Sequence, residues 1–170
     1  QFEFDASYAL TERWSLNGNL SYGTETLRQA RPDAALLAYD NTSSGFGLGV
    51  TGKATSTLQV GANLSHLDDR STHAQALDAT ADGASVALLA ATGGLPDIIF
   101  RQTTLKLFGI YTVDKQSDLR LDLGYQRSTW SDWAWGYNGV PFTYSDGTVV
   151  GQSIRQSVGF VGLRYSYRWQ

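Results

Sequence analysis

The chain has 170 residues, with 13 Lys+Arg against 16 Asp+Glu and two His, a formal net charge of −3 and a pI near 5.2. That length allows one domain or one piece of a larger one, and the acidic balance excludes the basic stripe of a nucleic-acid binder. With no Cys, this chain holds no disulfide, no thiolate metal site and no covalent haem attachment, and the lack of Met even at position 1 points to a processed chain or a segment of a longer one.

No apolar run reaches the ~18 residues that a membrane helix needs. The mean hydropathy of −0.25 would ordinarily describe a soluble protein. A transmembrane barrel has the same average, because its strands alternate apolar and polar residues. Twelve per cent aromatics with 18 Gly and only three Pro favour β structure.

The period is two nearly everywhere. Residues 2–10 set Phe2, Phe4, Ala6, Tyr8 and Leu10 against Glu3, Asp5, Ser7 and Ala9. After Thr11, Glu12 and Arg13 the alternation resumes, with Trp14, Leu16, Gly18, Leu20 and Tyr22 against Ser15, Asn17, Asn19 and Ser21. Residues 45–54 repeat it with Phe46, Leu48, Val50 and Gly52, and residues 57–66 with Leu58, Val60, Ala62 and Leu64. Residues 101–113 carry Leu105, Leu107, Gly109, Tyr111 and Val113 on one face. Residues 119–128 set Leu119, Leu121, Leu123 and Tyr125 against Arg120, Asp122, Gly124 and Gln126. The last run, 157–169, shows Val161, Leu163, Tyr165, Tyr167 and Trp169. These are seven strands of about ten residues, the length a tilted strand needs to cross a bilayer.

The connections alternate in length. Residues 11–13, 55–56 and 114–118 are tight turns, whereas 25–42, 68–98 and 129–155 are long. Outer-membrane barrels have this asymmetry, with short periplasmic turns and long external loops. In the last long loop, Asp146-Gly147 marks a hairpin tip between Phe142-Thr143-Tyr144 and Thr148-Val149-Val150. In the second, Ala74–Ala91 is Ala- and Leu-rich and suited to short helical turns. With the short turns set in the periplasm, Tyr8, Trp14, Tyr111, Tyr165, Tyr167 and Trp169 fall at one level. Phe2, Phe4, Tyr22, Phe46 and Tyr125 fall at the other. Two aromatic belts then flank an aliphatic band, as two headgroup layers require.

The polar face carries Glu3, Asp5, Asn17, Asn19, Lys53, Lys106, Arg120, Asp122, Arg164 and Arg168. These are expected to face the lumen, since charge on the lipid face costs ~2–4 kcal/mol at mid-bilayer. Gly47-Leu48-Gly49-Val50-Thr51-Gly52 matches GxGxxG, and Lys53 makes it nearly a phosphate loop. Either motif needs a following helix. Here the alternation runs straight through, so small residues on a strand are the expectation. Asn41-Thr42-Ser43 and Asn63-Leu64-Ser65 match the glycosylation pattern, which has no bearing in a bacterial outer membrane. His66, Asp68 and Asp69, with His73, cluster beyond the fourth strand. Carboxylates and imidazoles there could hold a divalent ion or form an acid–base pair at the rim. An ordinary solvated loop base is the expected reading, because no other residue completes a catalytic constellation. The chain is therefore read as a non-enzyme.

The ending Phe160-Val161-Gly162-Leu163-Arg164-Tyr165-Ser166-Tyr167-Arg168-Trp169-Gln170 resembles the closing strand of an outer-membrane barrel, the segment read by the barrel-insertion machinery. Together with Asp132-Trp133-Ala134-Trp135, Gly151-Gln152-Ser153 and the hairpin Tyr8–Leu16, it resembles the MtrB/PioB family, the porin sheaths of porin–cytochrome conduits. The resemblance implies an all-β, antiparallel, up-and-down transmembrane barrel in the bacterial outer membrane. It also implies a multihaem c-type cytochrome inside the barrel, with haem on that partner and no cofactor in this chain. Family members resemble barrels of more than twenty strands, whereas residues 1–170 supply seven or eight. The chain is thus expected to be the C-terminal part of a larger barrel. A small-solute diffusion porin, or a surface-binding protein using its long loops, are the alternatives.

Overall fold

The computed structural model describes residues 1–28, 38–74, 81–92, 97–132, 136–137, 140–143, 145–150 and 155–169. Its principal strands are β1 (Phe2–Ala9), β2 (Trp14–Arg28), β3 (Ala38–Lys53), β4 (Leu58–Ala74), β5 (Ile98–Thr112), β6 (Ser117–Ser131) and, after three short strands, β10 (Arg155–Tyr167). They form one seven-stranded antiparallel sheet in the order β1-β2-β3-β4-β5-β6-β10. The short strands β7 (Gly136–Tyr137), β8 (Val140–Thr143) and β9 (Val149–Val150) pair with one another, and α1 (Gly83–Thr92) lies between β4 and β5. The sheet does not close on itself among the described residues.

Each tight turn is fixed by a side chain that captures backbone N–H groups, as Ser, Thr and Asp do at turns. Thr11 Oγ1 accepts from the amides of Arg13 and Trp14 at 3.2 and 3.1 Å. Thr55 Oγ1 does the same for Thr57 and Leu58 at 3.2 and 3.0 Å. The Asp114 carboxylate accepts from the Gln116 amide at 2.7 Å and from the Ser117 hydroxyl at 3.1 Å. At the expected third-loop hairpin, Phe142 pairs with Val150 and Thr143 with Val149. Gly147 takes φ 86° there, a conformation that favours glycine.

The register settles the faces. Phe2, Tyr22, Ser44, Asp68, Arg101, Thr129 and Arg155 form one cross-strand row. Four same-face rows along lie Trp14, Gly52, Val60, Gly109, Leu121 and Leu163. The Leu, Val, Tyr and Trp residues named above for the apolar side of each alternating run share this face, whereas Phe108, Ile110, Val158 and Phe160 lie on the other. No side chain among the described residues is fully buried, so no conventional core exists. On β6 the pattern of a soluble sheet is inverted: Asp118, Arg120, Asp122 and Gln126 are half-buried, while Leu119, Leu121, Leu123 and Tyr125 are 37–50% exposed. Contiguous apolar exposure on this scale requires an apolar solvent.

The apolar band also slides along the strands. It spans Phe2–Leu10 at β1, whereas on β10 it starts at Val161, three same-face rows below the Phe2 row, and ends at Trp169. Three such rows is about 20 Å along a strand, and six ladders is about 29 Å across. The strands therefore lean by about 35°, within the tilt range of membrane barrels.

The strands are longer than the alternation indicates. β2 runs to Arg28 and β3 starts at Ala38; β4 runs to Ala74 and β5 starts at Ile98; β6 runs to Ser131 and β10 starts at Arg155. The three expected loops, 25–42, 68–98 and 129–155, are thus shorter than expected. Polar residues replace the apolar face there, yet the backbone ladder continues, with side-chain hydrogen bonds across it. Thr26 Oγ1 donates to Asp40 at 2.6 Å, and Asn41 Nδ2 donates to Asp69 and Ser71 at 2.9 and 3.0 Å.

Beyond the upper belt the sheet exchanges its faces on β5 and β6. Arg101 and Thr129 now point to the side that is apolar below, joined by Asp68 and Arg70 of β4. Arg101 pairs with Asp68 and Arg70 with Asp97. The opposite side gains Ile98, Phe100 and Trp130, with Leu67 of β4 just below; Ile99 is the exception. An aqueous surround explains this change, as a bilayer explains the band below it.

Candidate functional site: the polar inner wall

The ten polar residues singled out by alternation all fall on one side of the sheet. Glu3 and Asp5 pair with Ser21 and Asn19, Asn17 with Gly49, and Lys53 with Gln59. Lys106 pairs with Gly124, Arg120 with Arg164 and Asp122 with Gly162. Arg168, just past β10, ion-pairs with Asp118. In a barrel this side lines the lumen, because the other carries the apolar band.

The wall has two textures. From β2 to β4 it is smooth. Gly45, Gly47 and Gly49 of β3 lie opposite Ser21, Asn19 and Asn17 of β2. The two Asn side chains lie over Gly47 and Gly49 where a Cβ would otherwise stand, so they do not project into the lumen. The GxGxxG stretch is this part of the wall. It sits in mid-strand, hydrogen-bonded on both sides and followed by a turn, which rules out the strand–loop–helix geometry of a nucleotide site.

From β5 to β10 the wall is rougher and charged. Arg120 donates from Nε to both Asp122 oxygens at 2.8 and 2.9 Å and from Nη2 at 2.7 Å, a bidentate pair. Its guanidinium lies 4.8 Å from the centroid of the Phe108 ring. Phe108 in turn covers Gly61 of β4, and Phe160 covers Gly162. Between them lies an open cleft of about 590 Å³, with Gly124 in its floor and Asn63, Lys106, Gln126 and Val158 around it. Alternation alone places Arg120, Asp122 and Lys106 on this face but draws no attention to Phe108 and Phe160. Their parity is the available clue: both are even-numbered beside Lys106 and Gly162.

The suspected rim cluster does not assemble. His66 and Asp68 lie on one side of β4 and Asp69 on the other, because successive strand residues alternate. His66 Nδ1 lies 2.8 Å from Thr103 Oγ1 and its ring 5.7 Å from that of Phe46; Asp68 binds Arg101; Asp69 accepts from Asn41. His73 stacks edge-on against Tyr39. No group of three His, Asp or Glu residues could hold a metal among the described residues.

The aromatic residues sit at the two ends of the apolar band. Tyr22 is opposite Phe2, and Phe46 shares a row with Phe4. Tyr8 and Trp14 flank the first tight turn, and Tyr111 and Tyr165 share a row with Leu58 and Leu119. Tyr165 donates to Ser117 Oγ and Tyr167 to Gln116 Oε1, each at 3.0 Å, and the Tyr167 and Trp169 rings stack edge-on at 4.7 Å. Tyr125, with its hydroxyl 3.3 Å from Ser157 Oγ, stands at the upper end. Rings with polar tips anchored in this way match the two interfaces of a bilayer. Trp133, Trp135, Gly151-Gln152-Ser153 and Gln170 lie outside the described residues.

Residues 1–169 match the family model of the outer membrane beta-barrel porins MtrB/PioB. The chain belongs to this family. It is an all-β, antiparallel, up-and-down β-barrel porin of the bacterial outer membrane. No curated protein and no solved structure matches the chain.

Proposed function

We propose that this MtrB/PioB porin is the wall of a sheath that holds a multihaem c-type cytochrome across the outer membrane. Electrons would pass along the partner's haems. The porin supplies a low-dielectric wall and a lumen of fixed shape, and no chemistry of its own. The observation that carries this reading is the smooth inner wall of β2–β4, where Gly45, Gly47 and Gly49 meet side chains lying flat. A wall that keeps its own side chains down leaves room for a folded protein and still offers Ser and Asn for hydrogen bonds to it. These 170 residues hold no Cys to attach haem covalently, which fits a reading in which the haem is the partner's. The aromatic ending Tyr165–Trp169 fits recognition by the barrel-insertion machinery.

The test uses the full-length protein, gently solubilised. It should bring down a haem-staining protein. Liposomes carrying both should reduce an external acceptor from an internal donor, and liposomes with the porin alone should not. Purification without any haem protein, together with free conduction of small ions, would replace this reading with a diffusion porin.

A further inference from the structure

We infer that the cleft between β5, β6 and β10 is an anion site that takes a carboxylate carried on an apolar body. Charge is divided unevenly around the inner wall. At membrane level β1 contributes Glu3 and Asp5, while β5, β6 and the last strand through Arg168 contribute Lys106, Arg120, Arg164 and Arg168 against Asp118 and Asp122, with Arg168 paired to Asp118. Arg120 is consumed by its bidentate pair with Asp122 and is held over Phe108. Lys106 and Arg164 make no ion pair among the described residues. Of the charged residues that line the cleft, Arg120 and Asp122 neutralise each other and Lys106 remains, so the cleft keeps a net positive charge in a wall of low dielectric, where a cation attracts an anion more strongly than in open water.

The cleft's shape limits what enters. Lys106 and Phe160 stand on either side of Gly124 in one row, Asn63–Lys106–Gly124–Phe160, so the missing side chain opens the floor between a cation and an aromatic ring. Phe108 and Val158 extend the apolar lining, while Asn63 and Gln126 offer amide donors. Its volume of about 590 Å³ falls in the range of small-molecule sites. A cation and amide groups set beside two rings favour an anion with an apolar body over inorganic anions. The carboxylate can belong to a free organic acid or to a protein lying in the lumen. The chemistry is the same, and it does not depend on whether that protein carries haem.

The probe is 4-fluorophenylacetate, followed by ¹⁹F line broadening with the full-length porin in detergent micelles. Partition into the micelle is common to all variants and cancels between them. The acid should bind saturably and its neutral amide should not. Lys106→Gln should weaken binding roughly fivefold or more, the scale of one partly exposed charge pair. Lys106→Arg should restore it, Gly124→Leu should abolish it by filling the floor, and Lys53→Gln should leave it unchanged. Amide binding equal to the acid's, or binding unaffected by Lys106→Gln, overturns the proposal. Repeating the titration with any co-purifying protein in place separates the sources. Exclusion of the probe assigns the site to a protein carboxylate, and retained binding assigns it to a free acid. Either result stands apart from the sheath test, which reads haem and electron transfer.

Discussion

Two levels of the same sheet obey opposite rules. In the membrane band, Leu121 and Leu163 point outward and Asp122 points inward. Eight residues higher on the neighbouring strand, Arg101 points outward and Phe100 inward. Backbone geometry and hydrogen-bond pattern are continuous between them, so neither explains the exchange. The surrounding medium does. Lipid makes outward charge costly, and water above the headgroups makes outward apolar surface costly. The exchange of faces marks the membrane boundary without reference to any lipid.

The sharpest way to break this comparison is to place the same charge at both levels. Leu121→Arg should destabilise the folded porin in lipid by about 2–4 kcal/mol, measured by urea unfolding in vesicles. Arg101→Leu, outward but above the belt, should cost far less; similar losses would refute the assigned boundary. A smaller effect comes from the inner side of the upper level. Phe100→Ser should cost about 1–2 kcal/mol for a half-buried ring, whereas Arg101→Ser, which removes an exposed ion pair, should cost less than about 1 kcal/mol and lose that cost at high salt. Parity of the two would show that the upper wall has no preferred inside.

The smallest expected effects lie in two turns, one at each end of the sheet. Asp114 in the turn after β5 has its carboxyl held below the ordinary range, first by the Gln116 amide and then by the Ser117 hydroxyl. Asp146, at the tip between β8 and β9, is lowered in the same way by the Thr148 amide and hydroxyl. A lowered folded-state pKa gives a contribution that is complete above the ordinary carboxylate value of about 3.9 and lost as pH falls through the lowered one. Amide protection of Gln116 should be flat from neutral pH down to that range and fall below it. Asp114→Asn should remove that pH dependence. Protection that instead changes near neutrality would assign the turn's stability to another group.

The membrane band is legible in the order of the residues alone. A strict period of two fixes which residues share a face, and one face so apolar in seven runs points to lipid. The tight turns are equally local, since Thr11, Thr55 and Asp114 bond to amides two and three residues on. The helix α1 and the Asp146-Gly147 hairpin follow from short-range composition in the same way.

Only the tertiary structure decided the rest, because it depends on register. The polar continuations of β2, β3 and β4 have the composition of loops. Their backbone ladder continues the register of the band below, and across it Thr26 meets Asp40 and Asn41 meets Asp69 and Ser71. His66, Asp68 and Asp69 are neighbours in sequence, yet the pleat sends them to opposite sides. The cleft is the converse case. Asn63, Lys106, Gly124 and Phe160 come from four strands and share a row only through hydrogen-bond pairing. Periodicity within a strand is set by backbone geometry and can be read locally. Alignment between strands is set by the pairing of whole ladders, and no single segment carries it.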